Sequence, residues 1–253
     1  MSYSLNIGWL YPDLMSTYGD RGNIIVLQNR AQSREIKANV IPLTVGFDEK
    51  ELEKVNLLFM GGAQDRQQKI VADDLKKKTK NIQKLIDNNL PGLYICGAYQ
   101  FLGKYYKETD GTKIPGLGIL DIYTENPGNG NRLIGNIAIE TQIPNLKSQI
   151  TTLVGFENHG GLTYLGQKVK PFGKVLVGYG NNGKDKTEGA IYKNSFGTYL
   201  HGPILPKNPE LADLLLKLAL ERKYKKKIDL EKLDDELENK ARKAIAERLG
   251  VKV

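Results

Sequence analysis

The feature that most limits this chain is the alternation within its first hundred residues. Four short apolar runs, Leu5–Leu10, Asn39–Leu43, Leu57–Met60 and Gly92–Ile95, are separated by stretches of helical periodicity. Short apolar runs bounded by turn residues read as buried strands. The stretch 21–35 places Ile24, Leu27 and Ala31 on one face, and Asp20 stands where an N-cap belongs. A second helix is expected over 67–88, where Ile70, Leu75, Ile82, Leu85 and Ile86 are apolar. Strands joined by helices pair in parallel, because a parallel neighbour needs a long crossover. The chain is therefore expected to be an α/β protein with a parallel sheet.

The rhythm changes after about residue 115. Strands are expected at 117–123, 133–140, 151–156, 174–178, 188–193 and 196–200, with Gly, Asn and Pro between them. They read as sheet extensions and loops over a shared core. A helix is expected over 209–222, capped by Asn208 with Pro209 at its first position. Another is expected over 229–249, with Leu230, Leu233, Leu237, Ala241, Ile245 and Leu249 on one stripe.

Composition narrows the function. The 253 residues can bury a full core. A single cysteine excludes an internal disulfide and a multi-cysteine metal site. The net charge of +8 is spread out: residues 221–253 hold 11 basic and 8 acidic side chains, and the remainder 26 and 21. The lysines at 76, 77, 78 and 80 follow Asp73 and Asp74 and read as a solvated helix face. Nucleic-acid binding is not expected. No apolar run approaches the roughly 20 residues of a membrane helix, and the N-terminus lacks a basic stretch followed by an apolar core. A cytoplasmic protein without membrane insertion is expected.

One glycine motif misleads. Gly178-Tyr179-Gly180-Asn181-Asn182-Gly183 fits a nucleotide-binding pattern, and Gly178 through Asp185 nearly fits a phosphate loop. A phosphate site needs a helix next, whose first N–H groups face the anion. Here Lys184–Tyr192 runs through charged turn residues into another strand, and Asp185 stands where a hydroxyl is required. A strand–turn–strand is expected, with no ATP-binding motif in the chain.

The lone Cys96 reads differently. Gly92-Leu93-Tyr94-Ile95-Cys96-Gly97-Ala98 and the residues after it read as strand, sharp turn and helix, the logic of a nucleophile elbow. A helix N-terminus favours a thiolate. The Gly97 N–H would face an anion formed at the sulfur, and Gly61-Gly62-Ala63 would supply a second donor. The bland alternative is a small buried hydrophobe. A base must be His159 or His201. His201 ends a short apolar strand, and sites gather at the carboxyl ends of strands in open α/β sheets. His159 lies in a loop and reads as a hydrogen-bonded histidine. Spacing leaves the choice open.

Ile95-Cys96-Gly97-Ala98-Tyr99-Gln100, Gly61-Gly62-Ala63-Gln64-Asp65, Gly155-Phe156-Glu157-Asn158-His159 and Gly197-Thr198-Tyr199-Leu200-His201-Gly202-Pro203 together resemble the CobB/CobQ-type glutamine amidotransferases. Tyr18-Gly19-Asp20-Arg21-Gly22-Asn23, Gly116–Asp121 and Tyr179–Asn182 add to the likeness, which spans about residues 5–222 and is nearest the GatD-type glutaminase subunits of lipid II isoglutaminyl synthase.

The resemblance implies a flavodoxin-like three-layer sandwich with a mostly parallel central sheet, extra strands and C-terminal helices. It implies an amidotransferase domain over 1–225 and an amphipathic helical extension over 226–253. Cys96 would be the nucleophile and His201 its base, with Arg132, Gly62 and Gly97 binding the substrate and Glu157–His159 nearby. No metal or cofactor is expected in this chain. ATP and Mg would belong to a Mur-ligase-like, MurT-type synthetase joined to it as a heterodimer. That partner would use the ammonia to amidate the D-glutamate α-carboxyl of lipid II, giving D-isoglutamine for peptidoglycan. The alternatives are another acid acceptor, such as a corrin precursor, or a non-catalytic subunit on the same fold. Two alanines, Ala63 and Ala98, stand where the family has glycines. His201-Gly202-Pro203 also lacks the acid that follows the histidine in other amidotransferases, so an orienting acid is either absent or supplied from elsewhere, a partner included.

Overall fold

Apolar runs from both ends of the chain pair into one sheet. The computed structural model describes residues 3–63, 65–128, 130, 132–146 and 152–253. Its first half contains β1 (Ser4–Leu10), α1 (Arg21–Gln32), β2 (Lys37–Leu43), β3 (Leu57–Met60), α2 (Asp65–Asp87), β4 (Gly92–Ile95) and α3 (Gly97–Leu102). There follow β5 (Tyr105–Lys107), β6 (Lys113–Pro115), β7 (Ile122–Glu125), β8 (Leu133–Thr141), β9 (Thr152–His159), β10 (Leu162–Leu165), β11 (Gly173–Val177), β12 (Thr187–Glu188), β13 (Ala190–Tyr192) and β14 (Ser195–Thr198). Helices α4 (Pro209–Tyr224) and α5 (Glu236–Leu249) close the chain.

The central sheet has the order β13-β14-β4-β3-β1-β2 and is parallel except for the β13–β14 hairpin. Every residue of β3 and β4 is buried, as expected of strands covered on both faces. Alternation sorts their side chains: Leu57 and Phe59 join the core under α1 and α4, while Leu58 and Met60 join the core under α2. Each fully buried side chain of this size contributes about 1.5–3 kcal/mol. Strand β14 runs parallel to β4 with Thr198 beside Ile95. That register brings the chain leaving both strands to the same carboxyl edge.

Two antiparallel sheets extend this core, with orders β10-β7-β5-β6 and β12-β11-β8-β9. Ile137, Ile139 and Leu153 of the second share one apolar cluster with the central sheet and α4, so the later strands sit on a common core.

Several expected elements are altered, each for a visible reason. Of the strand expected at 117–123, only the part from Ile122 forms; the N–H groups of Leu117, Gly118 and Leu120 instead bond the carbonyls of Phe101, Gly103 and Leu102. Asn208 precedes α4 but does not cap it: its side chain accepts from Val154 N–H at 3.0 Å and donates to the Val154 and Ile204 carbonyls. The last helix starts at Glu236, not 229. The preceding segment is drawn across α1, where Arg34 donates to the Glu231 carbonyl at 2.6 Å and Arg30 pairs with Asp235 at 2.5 Å. Leu237 is consequently 78% exposed, while Ala246 packs on Ala138 and Val154.

Candidate functional site

Cys96 links β4 to α3 at φ 51° and ψ −106°, a conformation costly for a residue with a side chain. It is held from both sides: Cys96 N–H donates to the Thr198 carbonyl at 2.8 Å, and Gln100 N–H donates to the Cys96 carbonyl at 3.0 Å. The neighbours must be small. A side chain at Gly97 would begin 2.9 Å from Gln68 Nε2.

His201 leaves β14 at the same edge and is wholly buried. Its backbone pairs with Phe156 of β9, His201 N–H donating at 2.6 Å. Its Nδ1 lies 3.5 Å from Asp20 Oδ1. Burial pushes the imidazole pKa down, but the Cys96 sulfur and the Asp20 carboxylate outweigh this and raise it to about 10.

Asp20 corrects two expectations. It does not cap α1: its backbone is helical and its side chain makes no capping bond. It turns inward, fully buried, and its Oδ2 accepts the Gly62 N–H at 2.7 Å. Gly62 therefore cannot offer that N–H to an oxyanion. Its contribution is the missing side chain, since a Cβ there would lie 3.0 Å from His201 Cε1 and 3.3 Å from Cys96 Cβ. The backbone donor left in this turn is Ala63, whose nitrogen lies 3.4 Å from where a Gly97 side chain would begin. The acid missing after His201 thus has a counterpart within the chain, following β1. The only signal for it in the sequence was a carboxylate between a central strand and the next helix.

A cavity of about 270 Å³ reaches both Cys96 and His201. Arg132 stands exposed at its mouth, donating from Nε to Asn158 Oδ1 at 2.8 Å and from Nη2 to the Asn158 carbonyl at 3.0 Å. Asn158 in turn donates to the Tyr18 hydroxyl at 2.9 Å, and the Tyr18 ring meets His201 edge-on at 5.1 Å. Tyr18 and Asn158 had been only parts of motifs; the fold makes them a rim.

The Glu157–His159 stretch ends β9, so His159 closes a strand rather than lying in a loop. Asn158 and His159 line the cavity. Glu157 lies outside the lining, its Oε2 3.9 Å from His159 Nε2, and accepts the Tyr179 and Gly180 N–H groups at 2.7 and 2.8 Å. His159 lies flat on Tyr199, 3.6 Å away and 5° from parallel, and its Nδ1 donates to the Gly161 carbonyl at 2.7 Å. The misleading glycine run is a strand–turn–strand, with β11 and β12 antiparallel around it. The whole arrangement, a strained thiol beside a charged imidazole and two backbone donors, suits acyl transfer through a covalent thioester.

Residues 6–209 match the model of the CobB/CobQ-like glutamine amidotransferase domain. The chain belongs to this family. Among its relatives is the "Lipid II isoglutaminyl synthase (glutamine-hydrolyzing) subunit GatD" of Staphylococcus aureus, 44% identical over 97% of this chain and 96% of the relative. The GatD subunit of Streptococcus pneumoniae is 43% identical, over 92% of this chain and 87% of its own length. Among solved structures, a glutamine amidotransferase superposes with a TM-score of 0.57 at 15% identity, covering 84% of this chain and 98% of the other. One from Thermotoga maritima gives 0.53 at 15% identity, covering 95% and 93%. The fold of this amidotransferase is the flavodoxin-like α/β sandwich expected of the class. Among the described residues of this amidotransferase, no helix is long and apolar enough to cross a membrane.

Proposed function

We propose that this amidotransferase is the glutaminase subunit of a lipid II isoglutaminyl synthase. The observation that carries the reading is the convergence of Cys96, His201 and Asp20 on one polar cavity, in a chain similar over nearly its full length to GatD subunits. In this reading the Cys96 thiolate attacks the side-chain amide carbon of L-glutamine. The N–H groups of Gly97 and Ala63 stabilise the oxyanion. His201, oriented by Asp20, gives its proton to the departing ammonia. It then takes one from the water that opens the γ-glutamyl thioester, and glutamate is released. Arg132 binds the substrate carboxylate, to which a guanidinium can offer two parallel N–H groups.

Ammonia is a nucleophile only while unprotonated, so it must pass to its acceptor without mixing with bulk water. Amidation of a carboxylate also needs activation. These needs call for an activating partner; by the likeness to GatD subunits it is read as a Mur-ligase-like, MurT-type chain that carries ATP and Mg, joined in a heterodimer acting in the cytoplasm, with the D-glutamate α-carboxyl of lipid II as acceptor. Residues 1–225 form the amidotransferase domain in this reading, and 226–253 an extension in which Ala246 of α5 packs on Ala138 of β8 and Val154 of β9.

The test is reconstitution with that partner. Cys96→Ser should abolish glutamine-dependent amidation while free ammonia still supports it. Glutamine use retained by the variant would remove Cys96 from the chemistry, and failure with both nitrogen sources would remove the acceptor assignment.

A further inference from the structure

We propose that Glu188 is a positioning residue for the glutaminase step, holding the Cys96 elbow and the His201 segment in register through Thr198. The inference rests on the amidotransferase reading of the cavity. Glu188 ends β12 and is fully buried, outside the cavity lining. Its Oε1 accepts the Tyr199 N–H at 2.6 Å, and both oxygens lie 3.0 Å from the Thr198 hydroxyl. Thr198 is the junction. Its hydroxyl also accepts the Leu200 N–H at 3.0 Å, and its carbonyl accepts the Cys96 N–H at 2.8 Å. One carboxyl therefore sets the two residues before Leu200 and His201 and, through Thr198, the backbone of the strained cysteine.

A carboxyl is a costly choice at this fully buried position. The hydrogen-bonding partners of this carboxyl are neutral donors, and a buried ionised carboxylate is expensive without a paired cation. Burial raises its pKa to about 8, the donated bonds from Tyr199 and Thr198 opposing the rise. The groups that face it are Glu157 from β9, which raises the value further, His201, which lowers it, and Tyr99 from α3. A buried acceptor tied to both the strand end of the nucleophile and the segment of the base fits a role in their alignment, where about 1 Å of misplacement can cost about a hundredfold in rate.

The experiment uses the full chain and two readouts: glutamate release from glutamine, and the rate of alkylation by iodoacetamide across pH 6–9. Because the chain has a single cysteine, alkylation reports on Cys96 without ambiguity. Glu188→Ala is expected to lower kcat about tenfold with KM within about twofold, the pattern of lost alignment rather than lost binding. The rate of Cys96 alkylation across that range should depart from the wild-type rate by more than about twofold, because the elbow that presents the sulfur is no longer held. Glu188→Gln, which keeps an acceptor for Tyr199, should restore most of both. If Glu188→Ala does not fold, Thr198→Val carries the test, because it removes the hydroxyl bridge and keeps the carbonyl that holds Cys96. Folded variants whose kcat and alkylation profile stay within twofold of the wild type overturn the proposal, as does a loss confined to KM. Glutamate release by the wild type, and its absence in Cys96→Ser, tests the amidotransferase reading separately. Alkylation needs no glutamine, so it decides on Glu188 whichever way that control falls.

Discussion

The two histidines of this chain line one cavity, and both are buried near a carboxylate, yet their surroundings prepare them for different work. His201 has Asp20 at 3.5 Å, Cys96 close by, and no hydrogen-bond partner of ordinary geometry on either ring nitrogen among the described residues. It is raised to about 10 and is charged at neutral pH. His159 is held on one side: its ring is stacked on Tyr199 and its Nδ1 bonds Gly161, while its Nε2 has no hydrogen-bond partner among the described residues. Its nearest carboxylate, Glu157, lies 3.9 Å away and is already occupied by two backbone N–H groups. What separates them is the Cys96 sulfur, which lies beside His201, and the Gly161 carbonyl and Tyr199 ring, which hold His159.

The sharpest way to break this contrast is to exchange the losses. Replacing Cys96 by Ala should remove glutaminase activity by at least ~1,000-fold, as expected for a covalent nucleophile. His201→Ala should follow at ~100- to 10,000-fold, the range of general acid–base catalysis. His159→Phe, which keeps the stack, should leave kcat within about threefold and instead cost about 1–3 kcal/mol of stability for the unpaired Gly161 carbonyl. Steady-state glutamate release and thermal unfolding of the three variants check this order. A His159 variant as inactive as the His201 variant would reverse the assignment.

Asp20→Asn sharpens the same point at a smaller scale, with an expected loss of about tenfold in kcat from misorientation of His201. It also changes the pH dependence. The folded pKa of His201 is raised above its unfolded value of 6.5. Its contribution to stability is therefore complete below about 6.5 and is lost as pH climbs through about 10. Removing the Asp20 charge should lower the upper end of that window. Melting temperatures of the wild type and Asp20→Asn across pH 6–10 read it directly; curves of identical shape would show that Asp20 does not act on His201.

The mouth of the cavity gives the smallest expected effect. Arg132→Lys keeps the charge but loses the planar fork, and should raise KM for glutamine about tenfold with kcat nearly unchanged. A fall in kcat without a change in KM would mean that Arg132 acts on the reacting centre rather than on binding.

The parallel strands were legible because their apolar runs are buried on both faces and bounded by glycine or helix signals. The elbow at Cys96 and the strand-end position of His201 were legible for the same reason: the chemistry follows directly on the strand. Helix 229–249 was overread, because its leucine stripe says nothing of Arg34 and Arg30, which draw the first part across α1. The short strands β5, β6 and β10 carry too few residues for a period to register. Asp20 was read as a cap because a carboxylate before a helix usually is one, and nothing local shows the Gly62 N–H waiting 42 residues away in sequence.

By itself the sequence determined the α/β architecture, the single thiol available for covalent chemistry and the two histidines that could serve it. These are set by local periodicity and by composition, which need no folding to read. The tertiary structure alone decided which histidine lies beside Cys96, that Asp20 faces it rather than capping a helix, and that Gly62 supplies room rather than a donor. Those roles depend on distances between segments remote in the chain. Such distances arise only when β14 takes its register beside β4 and brings Cys96, His201 and Asp20 to one edge.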